Sequence, residues 1–411
     1  MGCLLSRRAG GRVLVFALVA LCARAACASE WELSFDGRLL NSDGTTSFVD
    51  GGLGALRFGA DRSGVALGRA RFALDQALGQ ILTLKIDASA WGDHDKNPVD
   101  LTEAYLEARP YPVAGFRTRV KAGAFYAPIS LENRSGGWES PYTLSSSALN
   151  SWVAEELRTI GLEASVDWLG TRLGHDFDLG VTGAVYGWNE PAGVSLATHG
   201  FAIDDRQTTL FGRIGKPGAG PVRGFEVFHE IDGRAGTYVG LEGRYLDRIT
   251  VRALHYNNNA DPGANDPVQH VHAWQTCFDT AGLRVESESG WTAIVQWMQG
   301  ETYIEPAPAR ELEWDFRTAY LLLSKRIGKH TLSARYDDFT VAPVPPVTQG
   351  NQTGHATTVD YRYEWSARWR LTLEWVQVRS GQSTRVAYGE APFVTENLLQ
   401  LSARWAIGSN Y

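Results

Sequence analysis

Residues 357–365 of the chain read TTVDYRYEW. Thr357, Val359, Tyr361, Tyr363 and Trp365 fall on one side of an extended backbone, and Thr358, Asp360, Arg362 and Glu364 fall on the other. This period of two residues is typical of a β-strand with one apolar and one polar face. A Lys or Arg that faces lipid at mid-depth costs roughly 2–4 kcal/mol. The stretch therefore predicts a membrane-crossing strand whose apolar face looks outward and whose charged face looks inward at water.

The same alternation recurs along the chain in segments of about 8–11 residues, the length that a tilted strand needs to cross a bilayer. It is clear over 31–39, 82–89 and 160–167. It predicts about eighteen strands, near 31–40, 53–75, 80–91, 101–109, 116–125, 159–168, 176–188, 207–215, 222–232, 237–246, 248–257, 269–284, 289–300, 314–327, 330–339, 355–366, 368–379 and 394–407. Because 269–284 and 314–327 alternate poorly, sixteen is the alternative count.

The predicted connections alternate between short turns and long polar loops. Gly328-Lys329, Ser287–Ser289 and Ala367 are short, whereas Asn189–Arg206, Asn258–Val268, Glu301–Glu313, Thr340–Gly354 and Ser380–Phe393 are long. This asymmetry is typical of outer-membrane barrels. The predicted fold class is all-β: a transmembrane antiparallel β-barrel of about 16–18 strands.

Tryptophans provide a weaker indication of the same fold. Trp91, Trp168, Trp188, Trp314, Trp369 and Trp405 lie at or near predicted strand ends. Aromatic girdles at the two membrane interfaces are expected there.

Residues 1–28 have the features of an export signal. Arg7, Arg8 and Arg12 precede the apolar run 13–21, and Ala26-Cys27-Ala28 supplies small residues for cleavage. The mature chain would then be a single barrel domain, residues 29–411.

Composition excludes several classes of protein. Without the four arginines of the signal, 39 basic residues become 35 against 46 acidic ones, a net charge of about −11 that argues against nucleic acid as a partner. Of the four cysteines only Cys277 remains, so a disulfide-stapled fold is excluded. No segment has the 18 uncharged apolar residues of a membrane-crossing helix.

Residues 126–158, called here the constriction loop, have no period-2 pattern. A structureless stretch longer than roughly 12–15 residues inside a compact fold is usually functional or disordered. This one contains Tyr126, Trp138, Tyr142 and Trp152, which need something to pack against. We expect the loop to fold back into the barrel and narrow its lumen.

The segment of roughly residues 65–168 resembles the phosphate-selective outer-membrane porin family (porin superfamily, O/P type). The resemblance is carried by TEAYLE at 102–107, the turn 110–115, RVKAGAF at 119–125 and APISLE at 127–132. It implies a trimeric barrel of sixteen or more strands with an inward constriction loop. Where that family has a basic residue after the Phe, this chain has Tyr126, and residues 127–158 carry four acids against two arginines. A negative constriction repels phosphate, so phosphate selectivity is not expected here.

Candidate pore-lining residues lie in and just before this loop. Arg117, Arg119 and Lys121 share one strand face and are expected to line the lumen, opposite acids such as Glu132, Glu155 or Glu156. Such an arrangement would orient dipolar solutes; the alternative is that these charges only keep a wide pore hydrated. The predicted set is Arg117, Arg119, Lys121, Tyr126, Glu132, Arg134, Glu139, Glu155 and Glu156.

The sequence thus predicts an outer-membrane porin of a Gram-negative bacterium that passes small hydrophilic solutes passively. The predicted surroundings are outer-membrane lipid and lipopolysaccharide, and the predicted assembly is a homotrimer. No enzyme activity, catalytic residue, metal or cofactor is predicted. The alternative is a barrel that acts through its external loops as an adhesin or a hydrolase, with Asp93-His94-Asp95 and Asp337-Asp338 as rim candidates. Whether an external loop such as Asn257–Asp266, rich in oxygen ligands, binds calcium is left open.

Overall fold

The structure is a computed structural model, and it describes residues 29–93, 99–218, 220–344 and 350–409. The predicted signal at 1–28, together with His94, Asp95 and Tyr411, lies outside the described residues. Among the described residues, no helix is long and apolar enough to cross a membrane.

Sixteen antiparallel strands form one closed barrel, in which each strand pairs with its sequence neighbours. The first strand pairs with the last, from Glu32 opposite Gly408 to Ser42 opposite Leu398, which closes the wall. The strands are Ser29–Ser42 (β1), Gly64–Ala77 (β2), Leu82–Ala90 (β3), Val99–Ala108 (β4), Phe116–Phe125 (β5), Thr159–Trp168 (β6), Phe177–Gly187 (β7), Gly236–Tyr245 (β8), Ile249–Asn257 (β9), Gln275–Glu286 (β10), Trp291–Ala307 (β11), Arg310–Ile327 (β12), His330–Val344 (β13), Gln352–Glu364 (β14), Trp369–Gly381 (β15) and Phe393–Gly408 (β16).

The orientation predicted from residues 357–365 is confirmed. Val359 and Tyr361 are 39% and 42% exposed on the outer surface, whereas Asp360 and Arg362 are 0% and 4% exposed inside. Because every second residue turns outward, the wall presents an apolar surface to lipid and a polar surface to the lumen.

Two predicted strands, 207–215 and 222–232, are wrong. Both segments belong to the long connection 188–235, in which Ile214–Lys216 and Gly220–Phe225 form a separate small sheet. The predicted strand 53–75 begins only at Gly64, since 43–63 is a loop with two short 3₁₀ turns. The barrel therefore has sixteen strands, the lower of the two predicted counts.

The predicted asymmetry of the connections is present, with one exception. One end of the barrel, called here the short-turn end, has the connections 78–81, 109–115, 169–176, 246–248, 287–290, 328–329 and 365–368. The other, the long-loop end, has 43–63, 91–98, 126–158, 188–235, 258–274, 308–309, 345–351 and 382–392. The exception is the predicted loop 301–313, which is instead a hairpin: Glu301 pairs with Asp315 and Ala307 with Arg310.

The tryptophan prediction holds only in part. Trp188 and Trp369 are exposed on the outer surface, at 48% and 42%. Trp91 and Trp314 are 3% and 8% exposed and pack inside. Trp91 lies beneath two arginines, Arg57 and Arg69, whose guanidinium carbons are 4.9 and 5.0 Å from its ring.

Candidate functional site: the barrel interior

The constriction loop folds into the lumen. Its helix α1, Ala148–Glu156, begins at Ser147, whose hydroxyl accepts a hydrogen bond from the amide of Asn150. All nine residues of the helix are buried, as are Tyr126, Ile129 and Leu131 before it. The apolar residues that the sequence left without a partner pack here into the largest buried cluster of the described chain, which lies inside the barrel.

Inward-facing side chains of the wall hold the loop by its backbone. Glu374 accepts hydrogen bonds from the amides of Leu144 and Ser145, and Asp337 accepts one from Ala148. On the opposite side of the loop, Arg252 donates to the carbonyls of Pro128 and Ser130. The loop is thus fixed to strands on both sides of the lumen, which is the arrangement that a constriction needs.

Arg335 of β13 is the most heavily engaged of these wall residues. Its guanidinium pairs with Glu132 at 2.6 Å and with Asp337 at 2.8 Å, and the three side chains are fully buried. It also donates to the carbonyls of Ser145 and Ser146. Together these carboxylate and carbonyl oxygens compensate the charge of the buried guanidinium.

A second insertion enters the lumen beside the constriction loop, and no sequence pattern indicated it. The connection 188–235 places Asp205 against Arg38 of β1 at 2.5 Å and against Arg57 of the loop 43–63 at 2.9 Å. Burial opposes ionisation of Asp205, but these two guanidinium groups outweigh it and hold its pKa well below the usual range. The amide of Ile203 donates to the carbonyl of Ala55, so the two loops are also joined through their backbones.

Buried acids line the contact between the two insertions. Burial, then the charge of Asp205, raises the pKa of Asp204 to about 7. Burial and the nearby Asp204 likewise raise the pKa of Glu155, whose carboxylate is 3.8 Å from His199. Burial lowers the pKa of His199 to about 4, so its imidazole is neutral at pH 7. Asp204 is therefore partly protonated at pH 7 in this contact.

The structure does not bring the basic trio and the acids of the constriction loop together. Arg117 pairs with Asp167 at 2.7 Å and Lys121 with Glu163 at 3.0 Å, both across the β5–β6 ladder. Arg117 and Arg119 line a cavity of about 250 Å³. The acids in that cavity are Asp167 and Glu242 of the wall.

The four predicted loop acids have four different surroundings. Glu132 is buried against Arg335, and Glu155 is buried near His199. Glu156 accepts hydrogen bonds from the Trp152 indole and from the amides of Gly193 and Ser195. Glu139 faces a cavity, and Arg134 is exposed and pairs with Glu286 at 3.1 Å.

Tyr126 holds a positive charge close to its ring. The guanidinium carbon of Arg158 lies 3.5 Å from the ring centroid, and the ring stacks on Trp138 at 4.2 Å. Cation–π attraction of this kind is stronger when the pair is desolvated, and Tyr126 is 6% and Arg158 1% exposed. Tyr126 therefore packs inside the loop rather than facing open lumen.

Glu139 lies where charged groups of both signs face open space. Its carboxylate is 2.7 Å from Arg404 and 3.5 Å from Arg69. Burial acts to raise the pKa of Glu139, but the charges of Arg404 and Arg69 outweigh it and lower the pKa to about 2. The carboxylate is therefore ionised throughout the neutral range.

The cavity beside Glu139 has a volume of about 390 Å³ and a mixed lining. Its charged lining residues are Glu30, Glu32, Arg71, Asp75, Lys85, Asp87, Glu103, Glu139, Arg370 and Arg404. Asp75 and Lys85 flank the turn 78–81, which places the mouth of the cavity at the short-turn end. The predicted set of pore-lining residues does not include Arg69 and Arg71. In β2 these two inward residues alternate with the outward residues Ala70 and Phe72.

Of the rim residues considered for a hydrolase, the three that the structure describes, Asp93, Asp337 and Asp338, do not form a site. Asp337 is fully buried and faces inward, whereas its neighbour Asp338 faces outward. Asp93 is buried and pairs with Arg57 and Arg206 at 3.2 and 3.3 Å. The wall separates Asp338 from the other two acids, and Asp93 and Asp337 are each bound to arginines. These acids therefore cannot act together on an external substrate.

Comparisons with known proteins agree with the fold. The sequence matches no protein-family model, and no curated protein matches it. Among solved structures, the chain is similar to the outer membrane channel DcaP of Acinetobacter baumannii, with 10% identity, a TM-score of 0.54, and 92% of this chain and 96% of that chain covered. It is also similar to OmpF of Salmonella typhi, solved with daunomycin, with 10% identity, a TM-score of 0.53, and coverage of 93% and 98%. The trimer form of OmpT, an outer membrane protein of Vibrio cholerae, has 10% identity, a TM-score of 0.51, and coverage of 93% and 100%. At this identity the likeness establishes a shared barrel fold and no more.

Proposed function

We propose that this protein is an outer-membrane porin that lets small hydrophilic solutes diffuse through a narrowed lumen. One observation carries the proposal: a closed barrel with an apolar exterior has a charged interior that a long loop crosses. The loop is anchored on one side by Glu374, Asp337 and Arg335 and on the other by Arg252. A loop anchored to the wall inside a barrel narrows the lumen and leaves part of the polar inner wall in contact with water.

The charged lining around Glu139 supports weak ion selectivity. Arginines and acids alternate there within ion-pair distance, so neither sign of solute is strongly excluded. Phosphate selectivity forms no part of the proposal.

The proposed location is the outer membrane of a Gram-negative bacterium, reached after cleavage of a signal at residues 1–28. Both chain ends of the barrel lie at the short-turn end, which we assign to the periplasm because periplasmic turns of such barrels are short. A homotrimer is proposed from the resemblance to phosphate-selective porins. Lipopolysaccharide and lipid would surround the apolar wall.

Planar-bilayer conductance tests the function. The purified mature protein should give stepwise openings, and deletion of residues 136–150 should enlarge each step, because it removes the segment held by Glu374, Asp337 and Arg335. The control is Asp315→Asn on the outer surface, which should leave the step size unchanged. A folded protein that gives no openings would refute the proposal.

A further inference from the structure

Three carboxylates meet at the neck of the connection 188–235. Glu190 lies just after β7, and Glu230 and Asp232 lie shortly before β8. Each offers a carboxylate oxygen, and these oxygens all lie within 4.8 Å of one another. Groups of the same charge thus lie side by side where the two ends of the longest connection meet.

Glu190 is the member whose burial needs an explanation. It is only 2% exposed, and its Oε2 atom has no hydrogen-bond partner among the described residues. A buried charged oxygen without a partner is costly. Among the described residues, no Lys or Arg forms an ion pair with any of the three carboxylates. The nearby Arg234 pairs with Asp261 instead.

Backbone amides hold the other two carboxylates in place. Glu230 accepts from the amides of Trp188 and Gly233, each at 2.9 Å. Asp232 accepts from the amides of Arg234 and Asp261. These contacts hold two carboxylates beside the third, as hydrogen bonds from outer groups hold the ligands of a bound cation.

We propose that Glu190, Glu230 and Asp232 bind a divalent cation, and that the cation is Ca²⁺. Two oxygens on the same Ca²⁺ ion lie at most about 5 Å apart, because each lies roughly 2.3–2.6 Å from it. The separations here satisfy that limit. The ligands are oxygens only, which disfavours zinc, and they come from irregular loop positions, which suits the variable coordination geometry of Ca²⁺ better than the strict octahedron of Mg²⁺.

The position of the site gives the cation a structural role. It joins the start and the return of the connection 188–235, and Asp232 is bound to the amide of Asp261 in the neighbouring loop 258–274. The same connection carries Asp205, which pairs inside the lumen with Arg38 and Arg57. The cation would therefore close the neck of a loop whose far end occupies the barrel interior.

Calorimetric titration of the EDTA-treated, detergent-solubilised full-length barrel with CaCl₂ tests this proposal. We expect one site per chain, weakened about tenfold or more in Glu190→Gln and Asp232→Asn because charge count sets Ca²⁺ affinity. The control is Glu301→Gln, in the exposed cluster of Glu301, Glu313 and Asp315. That cluster has no buried carboxylate, and the substitution should leave the site unchanged.

A second measurement separates loss of the ligand from loss of the fold. In EDTA, Glu190→Gln should unfold at a temperature equal to or above that of the wild type, because it removes like-charge repulsion. In CaCl₂ the wild type should gain more stability than Glu190→Gln does. Absence of binding to the wild type at millimolar CaCl₂, tighter binding of MgCl₂ than of CaCl₂, or equal binding to Glu190→Gln would each overturn the proposal. None of these outcomes depends on whether the barrel conducts.

Discussion

Arg335 and Glu132 form a fully buried ion pair, with 2.6 Å between guanidinium and carboxylate, that joins the barrel wall to the constriction loop. Their separation in sequence is 203 residues, so the pair exists only in the closed barrel. Removing one partner of such a pair leaves an uncompensated buried charge.

Arg335→Met should therefore destabilise the loop strongly. Loss of one partner of a buried ion pair costs about 3–5 kcal/mol, and the loop carbonyls that Arg335 binds lose a donor as well. We expect noisy, enlarged openings in planar bilayers and a lower urea midpoint. Arg317→Met, which changes an exposed residue on the neighbouring strand, is the matched control. Equal effects of the two substitutions would contradict this account.

The ring of Tyr126 should matter far more than its hydroxyl. Tyr126→Ala removes the surface on which Arg158 and Trp138 pack and should cost roughly 3–5 kcal/mol of unfolding free energy, as is usual for buried aromatic residues. Tyr126→Phe keeps the ring and removes a hydroxyl that has no hydrogen-bond partner among the described residues, so stability should hardly change. Urea unfolding followed by tryptophan fluorescence measures both. A large loss in Tyr126→Phe would show that the hydroxyl is bonded.

Stability should fall as the pH rises from about 6.5 to 8.5, a window that follows from the reference pKa of His and the raised pKa of Asp204. The folded pKa of Asp204, about 7, and that of Glu155 lie above the unfolded values, so the folded state binds these protons more tightly and loses stability as they leave. His199, with its pKa lowered to about 4, acts in the opposite direction, but only below its unfolded pKa.

Asp204→Asn should reduce this difference between pH 6.5 and 8.5, as measured by the urea midpoint at each pH. Glu139→Gln is the control, because the pKa of Glu139 is lowered to about 2 and it stays ionised throughout the window. That variant should be less stable by a similar amount at both pH values. An unchanged pH dependence in Asp204→Asn would refute the assignment.

Glu139→Gln should shift ion selectivity toward anions. The substitution removes a carboxylate that is ionised at neutral pH and leaves Arg69 and Arg404 without it. The reversal potential in a KCl gradient should move toward the chloride potential. Arg404→Gln should move it the other way, and a shift in the same direction for both would count against the assignment.

The sequence predicts which side chains of a strand point toward lipid and which point into the lumen. Lipid favours apolar residues and water favours charged ones, so neighbouring residues alternate. Tyr361 and Arg362 illustrate this, as one is 42% and the other 4% exposed. The hairpin through Ala307 and Arg310 was predicted as a loop because outward residues there, such as Glu301 and Glu313, are charged. Strands that rise above the lipid need no apolar outer face, so the pattern fails where the membrane ends.

The contents of the lumen could be predicted only in part. The apolar residues between Tyr126 and Trp152 indicated that the constriction loop packs inside. The insertion of 188–235 could not be foreseen, because its segment 207–215 alternates like a strand and because Asp205 finds Arg38 at a separation of 167 residues. The pattern of one segment gives no information about a partner so distant in the chain.

The pairing of β1 with β16 sets the order in which the molecule assembles. Glu32 can meet Gly408 only after the last strand has been made, and until then Arg335, Arg38 and Glu374 face an open sheet instead of an enclosed interior. Contacts between residues so far apart in sequence form slowly. The insertions should therefore settle last, and a folding intermediate should have its hydrogen-bonded wall complete while proteases can still cut residues 126–158 and 188–235.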